Sequence, residues 1–344
     1  NNPFFQGVKE RFGFGCMRLP MKGEEIDIEQ FKIMVDRFLE KGFNYFDTAH
    51  GYLNMKSEPA LKEALTSRYP RDRYFIADKL TSPYFDSEDD IRKVFQAQLS
   101  AVGVTYFDFY LMHAQSRNNY DKFQSCHAYD VAKQLKQEGK IKHIGFSFHD
   151  DYDMLKRILD DHPEVEFVQI QFNYLDYESE KIQSRKLYEL LESRNLPVVI
   201  MEPVKGGSLV NLPRQGKEIL DNLHGGSYAS YALRFASQFK NVAMVLSGMS
   251  NFEQLKENVD YMKEFKPLSE KEMETVLKVG EILRNMGGIP CTACRYCVEG
   301  CPRKISIPDL FACYNAKKQF GDWNSEYYYD IHTKTNGKAS SCIK

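Results

Sequence analysis

Eight short β-rich runs, each followed by an amphipathic helical pattern, set the strongest limit on how this chain can fold. The runs are Phe12–Cys16, Phe43–Asp47, Tyr74–Lys79, Phe107–His113, His143–Phe148, Val165–Phe172, Pro197–Met201 and Ala243–Ser247. Strand–helix alternation calls for a parallel sheet, because a helical crossover returns the chain to start the next parallel strand. Eight units over about 270 residues fit a (β/α)8 TIM barrel better than an open doubly wound sheet. The first helix shows the pattern: Ile28, Phe31, Met34, Val35, Phe38 and Leu39 share one face at helical spacing. Asp27 is placed to cap it, Gln30 to complete a capping box, and Gly42 to end it. Similar punctuation recurs at Ser57 and at Gly139.

The 344 residues leave room for a small unit after the barrel, and the turn-rich Gly287-Gly288-Ile289-Pro290 marks the boundary. We therefore divide the chain into a barrel over 1–286 and a C-terminal unit over 287–344. A hydrophobic content of 42% supports a large core, while no run approaches the ~20 apolar residues of a membrane span. A net charge of −2 offers no field for nucleic acid or an anionic membrane. No charged-then-apolar leader is visible, although the chain opens Asn1-Asn2-Pro3 without a methionine.

The C-terminal unit carries Cys291-x2-Cys294-x2-Cys297-x3-Cys301-Pro302, the bacterial ferredoxin spacing for 4Fe-4S ligation. In that pattern three thiolates hold one cluster and the cysteine before proline reaches a second. Ala339-Ser340-Ser341-Cys342-Ile343-Lys344 reads as the opening of a second motif, so the ferredoxin-like unit is cut short there. Either the second half lies beyond Lys344, or Cys301 or Cys342 completes one non-standard cluster. A structural zinc site is the rival reading, but zinc usually pairs two well-separated Cys-x2-Cys knuckles. Four of the eight cysteines lie in the run, and the spread of the rest argues against a disulfide scaffold. Thiolates kept reduced for iron point to the cytoplasm.

Chemistry in such a barrel sits at the C-terminal ends of the strands. The second run ends in Asp47 with Tyr52 in the following loop, the third in Lys79, the fourth in His113. Singly, Asp47 reads equally as a turn cap, Tyr52 as one of 21 tyrosines, and His113 as a core histidine. A lysine closing an apolar strand needs a partner if buried, and Asp47 supplies one. Together they describe a proton donor: a phenol of ordinary pKa ~10 acidified by an ammonium, which a carboxylate anchors. His113 would orient a carbonyl oxygen beside the Tyr52 hydroxyl. A positioned general acid contributes about 10²–10⁴ in rate.

Phe46-Asp47-Thr48-Ala49 with Tyr52, Asp78-Lys79-Leu80, and Asp108-Phe109-Tyr110-Leu111-Met112-His113 make residues 12 to 285 resemble the aldo-keto reductases. Gly13-Phe14-Gly15-Cys16-Met17-Arg18-Leu19-Pro20 resembles that family's first strand. With the cysteine tail, the chain is similar to the subgroup carrying a two-cluster ferredoxin-like domain. The resemblance implies a catalytic tetrad of Asp47, Tyr52, Lys79 and His113, and a nicotinamide dinucleotide bound without a Rossmann fold. It places the carboxamide against Ser147 and Gln169 and the ring over Met201. The phosphates fall to the loops of Gly206 and Gly207 and of Gly248 and Ser250, and the adenosine end to Gln254 and Asn258. Phe148 replaces a common Asn, Met201 an aromatic, and Gln254 an arginine that meets the 2′-phosphate. The cofactor is therefore NADP, as the family favours, or NAD.

The implied activity is hydride transfer between NAD(P)H and a small carbonyl, alcohol or sugar, with the clusters linking it to a ferredoxin or flavoprotein. A nucleotide-binding redox sensor or electron-transfer subunit with little turnover is the alternative, because an intact site does not by itself prove catalysis. Tyr84, Phe85 and Phe148 are candidates for apolar pocket lining, with simple packing the equal alternative.

Overall fold

In the computed structural model, which describes residues 3–291, 293–320 and 325–343, the eight runs pair in parallel into a closed barrel. Asn1, Asn2 and Lys344, at the outer limits of the two expected units, lie outside the described residues. The barrel strands are β1 (Phe12–Gly15), β2 (Tyr45–Asp47), β3 (Phe75–Leu80), β4 (Phe107–Gln115), β5 (Ile141–Phe148), β6 (Phe167–Gln171), β7 (Val198–Met201) and β8 (Val242–Gly248). Each pairs with its sequence neighbours, and β1 closes the ring against β8 through Phe12–Val245 to Gly15–Gly248. β4 runs past His113 because the register shifts between Met112 and Gln115, where Ala114 turns left-handed (φ 52°).

The two-residue alternation of a strand decides what faces the barrel interior. Tyr45, Ala77, Phe109, Leu111, Phe167, Val199, Met244 and Leu246 form an inner cluster, closed below by Phe5, whose ring lies 4.8 Å from that of Phe109. Gly13 shares this face, since a Cβ there would sit 2.8 Å from Leu246 and 2.9 Å from Tyr45. The intervening residues, such as Phe12, Phe14, Phe46, Ile76 and Tyr110, pack outward in the layer beneath the helices. One step along the inward face from Tyr45, Ala77, Leu111, Phe167 and Val199 come Asp47, Lys79, His113, Gln169 and Met201. The same alternation that builds the core thus delivers the polar side chains to the mouth.

The first helix, α1 (Ile28–Glu40), buries Phe31, Met34, Val35, Phe38 and Leu39. Asp27 caps it by accepting from the Gln30 N–H at 3.1 Å, and Gly42 (φ 89°) ends it. The capping box is incomplete. The Gln30 amide donates to the Asp27 carboxylate, while its oxygen accepts from the Phe252 N–H, tying α1 to the loop after β8. Ser57 is no cap either: its hydroxyl donates to the Cys16 carbonyl at 2.8 Å, joining the loop after β2 to β1.

After the helix Glu270–Asn285 the chain makes a left-handed turn at Gly287 (φ 72°) and enters the cysteine segment. This holds a short helix, Tyr296–Glu299, then Ile307–Phe320 and Ser325–Thr333. Among the described residues, no helix is long and apolar enough to cross a membrane.

Candidate active site

Lys79 carries the arrangement at the barrel mouth. Its side chain is 0% exposed, and its ammonium donates to Asp47 Oδ1 and to the Thr48 carbonyl, both at 2.6 Å. The ammonium also stands 4.9 Å from the centre of the Tyr52 ring. Tyr52 is brought there by the loop after β2, where Leu53, Asn54 and Met55 are all left-handed, with φ of 53°, 55° and 63°. Three such residues in succession are costly and hold only where the surroundings fix them. The Tyr52 and His113 rings meet edge to face at 5.8 Å, and His113 Nδ1 bonds Thr81 Oγ1 at 2.7 Å. The four side chains expected to act together do converge.

Their electrostatics differ in one respect from the expectation. Burial, with the Asp47 charge adding to it, holds the Tyr52 phenol well above its ordinary pKa. The ammonium faces the ring and spends its hydrogen bonds on Asp47 and Thr48, so its pull on the phenol is outweighed by burial. Burial likewise raises the Asp47 carboxyl, against the pull of Lys79. Burial first, then the charge of Lys79 and the proximity of His149, keeps His113 well below its usual value and hence neutral. The resting site therefore holds a protonated phenol beside a neutral imidazole.

A cavity of about 380 Å³ opens above these groups, lined by Asp47, Tyr52 and His113. Every residue expected at the nucleotide lines it as well: Ser147, Gln169, Met201, Gly206, Gly207, Gly248, Ser250, Gln254 and Asn258. Gln169 Oε1 is buried with no hydrogen-bond partner among the described residues, as a wall awaiting an amide donor would be. Ser147 Oγ accepts from the Ala114 N–H at 2.7 Å, which fixes the hydroxyl beside it. Gly206 and Gly207 are left-handed (φ 62° and 98°), a conformation that suits glycine at the loop after β7. After β8, Asn251 caps the helix Phe252–Lys263, and Gln254 Oε1 accepts from the Ser250 N–H at 2.8 Å. The donor and acceptor set fits a nicotinamide dinucleotide.

The apolar lining candidates do not serve. Phe85 packs against Phe123 at 5.1 Å and Phe148 against Phe146 at 6.2 Å, both 1% exposed and outside this cavity. Tyr84 packs on His50 at 4.9 Å. Phe85 and Phe148 answer to core packing, while Tyr84 is half-buried beside His50.

Residues missed in the sequence complete the wall. His149 and Glu202 line it, and Gln171 joins them by donating to Glu202 at 2.7 Å. Glu257 lines it beside Gln254 and Asn258. Cys294 and Tyr296, from the cysteine segment, also reach it, and Tyr296 bonds His113 Nε2 at 2.8 Å. Reading the cysteine run for its thiols alone hid the tyrosine between them.

Within that run, Cys291 and Cys297 both lie near enough to Cys294 to feel its charge. The Ala293 N–H donates to Cys291 Sγ and the Ile305 N–H to Cys301 Sγ, both at 3.4 Å. Cys342 lies with Cys297 and Cys313 on an apolar cavity of about 920 Å³. Three thiols have the chemistry of cluster ligands. However, among the described residues no three His, Cys, Asp or Glu side chains converge closely enough to hold a metal ion.

Comparison with known proteins agrees with the geometry. The model of the Aldo/keto reductase family matches residues 11–281. L-galactose dehydrogenase from Arabidopsis thaliana is 27% identical over 289 residues, covering 79% of this chain and 89% of that protein. The NADH-specific methylglyoxal reductase of Escherichia coli is 28% identical, covering 58% of this chain and 63% of its own length. An aldo-keto reductase from Klebsiella pneumoniae in complex with NADPH superposes with a TM-score of 0.64 at 17% identity, covering 78% and 90% of the two chains. From the strand-end residues, the barrel they close and the family match together, the chain belongs to the aldo/keto reductase family.

Proposed function

We propose that this protein is an NAD(P)H-dependent carbonyl reductase or alcohol dehydrogenase with Tyr52 as its general acid. One observation carries the reading: Asp47, Tyr52 and His113, with Lys79 beneath them, share a single cavity with all the expected nucleotide contacts. The dinucleotide supplies the hydride when bound. His113, neutral, holds the substrate oxygen against the Tyr52 hydroxyl. As hydride reaches the carbonyl carbon, the C=O π pair moves to oxygen and takes the phenolic proton from Tyr52. The resulting phenolate spreads its charge into the ring that Lys79 faces at 4.9 Å, so the ammonium offsets part of the cost that burial sets on that charge. Asp47 keeps the ammonium in place.

For the dinucleotide, the adenosine end favours NAD in this reading. Gln254 offers no positive charge to a 2′-phosphate, and the Glu257 carboxylate on the same wall would repel one while accepting from ribose hydroxyls. Rates of NADH and NADPH oxidation with a panel of small aldehydes, ketones and sugars test the activity. Tyr52→Phe should lose at least a hundredfold; equal rates in the two proteins would dispose of the acid.

The cysteine segment in this reading belongs to a ferredoxin-like unit beginning at 287. Cys291, Cys294 and Cys297 would have to draw together to serve as its 4Fe-4S ligands, with Cys301 or Cys342 toward another corner or a second cluster, and a ferredoxin or flavoprotein as electron partner. Iron and sulfide analysis of oxygen-protected protein tests it, and metal-free protein at full occupancy of fold would reject it. The hydrogen bond between Tyr296 and His113 favours one second reading, a nucleotide-binding sensor or electron-transfer subunit of low turnover. Tight nucleotide binding without reduction of any carbonyl would select that alternative.

A further inference from the structure

We propose that Tyr296 is a specificity-determining residue whose hydroxyl occupies the place of the substrate oxygen, so that a carbonyl reacts only by displacing it. The inference rests on the reading of Tyr52 and His113 as the pair that receives that oxygen. The Tyr296 phenol engages the imidazole and stands beside the Tyr52 hydroxyl. Its oxygen bonds His113 Nε2 at 2.8 Å and stands within hydrogen-bonding reach of the Tyr52 hydroxyl. The Tyr296 ring meets the imidazole edge to face at 5.5 Å. A phenol oxygen has acceptor lone pairs as a carbonyl oxygen does, so it can take the same donors at this place.

The contact is held from outside the barrel. Arg295 is left-handed (φ 65°), which turns the following residue down into the mouth. Its guanidinium bonds Ser306 at 3.3 Å and pairs with Asp309 at 3.4 Å, anchoring the turn to the helix Ile307–Phe320. Tyr296 follows Cys294 by two residues and precedes Cys297 by one, so the backbone that sets those thiols also sets the phenol. The Arg295–Asp309 pair is partly exposed, which makes displacement a local movement of one turn rather than an opening of the barrel.

A resident competitor raises the apparent KM of any carbonyl by the reciprocal of the fraction of molecules in which the site is free. It discriminates against simple carbonyls, whose oxygen only replaces the phenol. It favours substrates with further hydroxyls that can bond elsewhere on the wall, for example at His149 and Glu202. Tyr296→Phe keeps the ring and removes the hydroxyl. For small monofunctional aldehydes it should lower KM on the order of tenfold while kcat holds or rises.

The test is steady-state kinetics of wild type, Tyr296→Phe and Tyr52→Phe, together with acetate binding to each nucleotide complex by calorimetry. Acetate presents a small oxygen acceptor to the same pair and gives an answer even where no aldehyde on the panel turns over. A matching fall in KM and in the acetate Kd for Tyr296→Phe supports the proposal. Unchanged or weaker acetate binding in that variant overturns it, while the reductase reading stands if Tyr52→Phe is inactive. An active Tyr52→Phe instead removes the reading on which the inference rests.

Discussion

Replacing Lys79 by methionine is the sharpest structural perturbation, because the ion pair it removes is almost wholly out of water. The two side chains are 0% and 4% exposed, and Asp47 Oδ2 already has no hydrogen-bond partner among the described residues. Without the ammonium, both the Asp47 carboxylate and the Thr48 carbonyl lose their 2.6 Å contacts. A lost hydrogen bond to a charged group is worth about 1.5–3 kcal/mol, and a stranded buried carbonyl costs about 1–3 kcal/mol. The sum agrees with the roughly 3–5 kcal/mol typical of breaking a buried pair. Protonation of Asp47 relieves part of this. A carboxyl whose folded-state pKa is raised binds more protons folded than unfolded, so its penalty vanishes below the ordinary carboxylate range of about 3.9 and grows as pH rises through the folded value. Urea unfolding of Lys79→Met and of Asp47→Asn/Lys79→Met at pH values from acid to neutral measures this. The single variant should be the weaker protein at neutral pH and draw level with the double one on acidification. A loss below about 1 kcal/mol, or a double variant no more stable than the single one, would refute the buried-pair argument.

Other consequences follow from the same geometry. Glu257→Arg should raise kcat/KM for NADPH relative to NADH by roughly tenfold, since it replaces repulsion by attraction at the 2′ position; an unchanged ratio in cofactor kinetics would move the adenosine end elsewhere. His113 has a depressed folded-state pKa, so its contribution to stability is present above the unfolded value of about 6.5 and is lost as pH falls below it. Wild type should therefore lose stability on acidification through that range more steeply than His113→Gln, as read from denaturation midpoints, and parallel slopes would contradict a neutral buried imidazole.

The barrel was legible because strand and helix periodicities are written in apolar residues whose alternation survives without any structural knowledge. Phe12, Phe14, Phe46 and Ile76 face the helices, and their inward neighbours fall on the opposite side by geometry alone. Asp47, Lys79 and His113 could be found for the same reason: each sits at a strand end, where position along the chain gives position in space. Tyr52 was within reach as a loop residue of the same segment. What escaped were partners joined only by tertiary folding. Tyr296 lies 183 residues from His113 in sequence, and nothing in a cysteine-rich turn marks its phenol as a barrel residue. The expected acidification of Tyr52 failed for a related reason. Proximity of a lysine was readable, but the competing burial and the direction of the ammonium's hydrogen bonds were not. Phe85 and Phe148 misled because an aromatic near a strand end looks alike whether it lines a pocket or fills the core.

Single-turnover hydride transfer bears most directly on the role of Tyr52, monitored by nicotinamide absorbance in wild type and Tyr52→Phe loaded with the same reduced dinucleotide. A proton donor at that hydroxyl predicts unchanged nucleotide affinity with a transfer rate reduced by about 10²–10⁴. Transfer at the wild-type rate in Tyr52→Phe would contradict it.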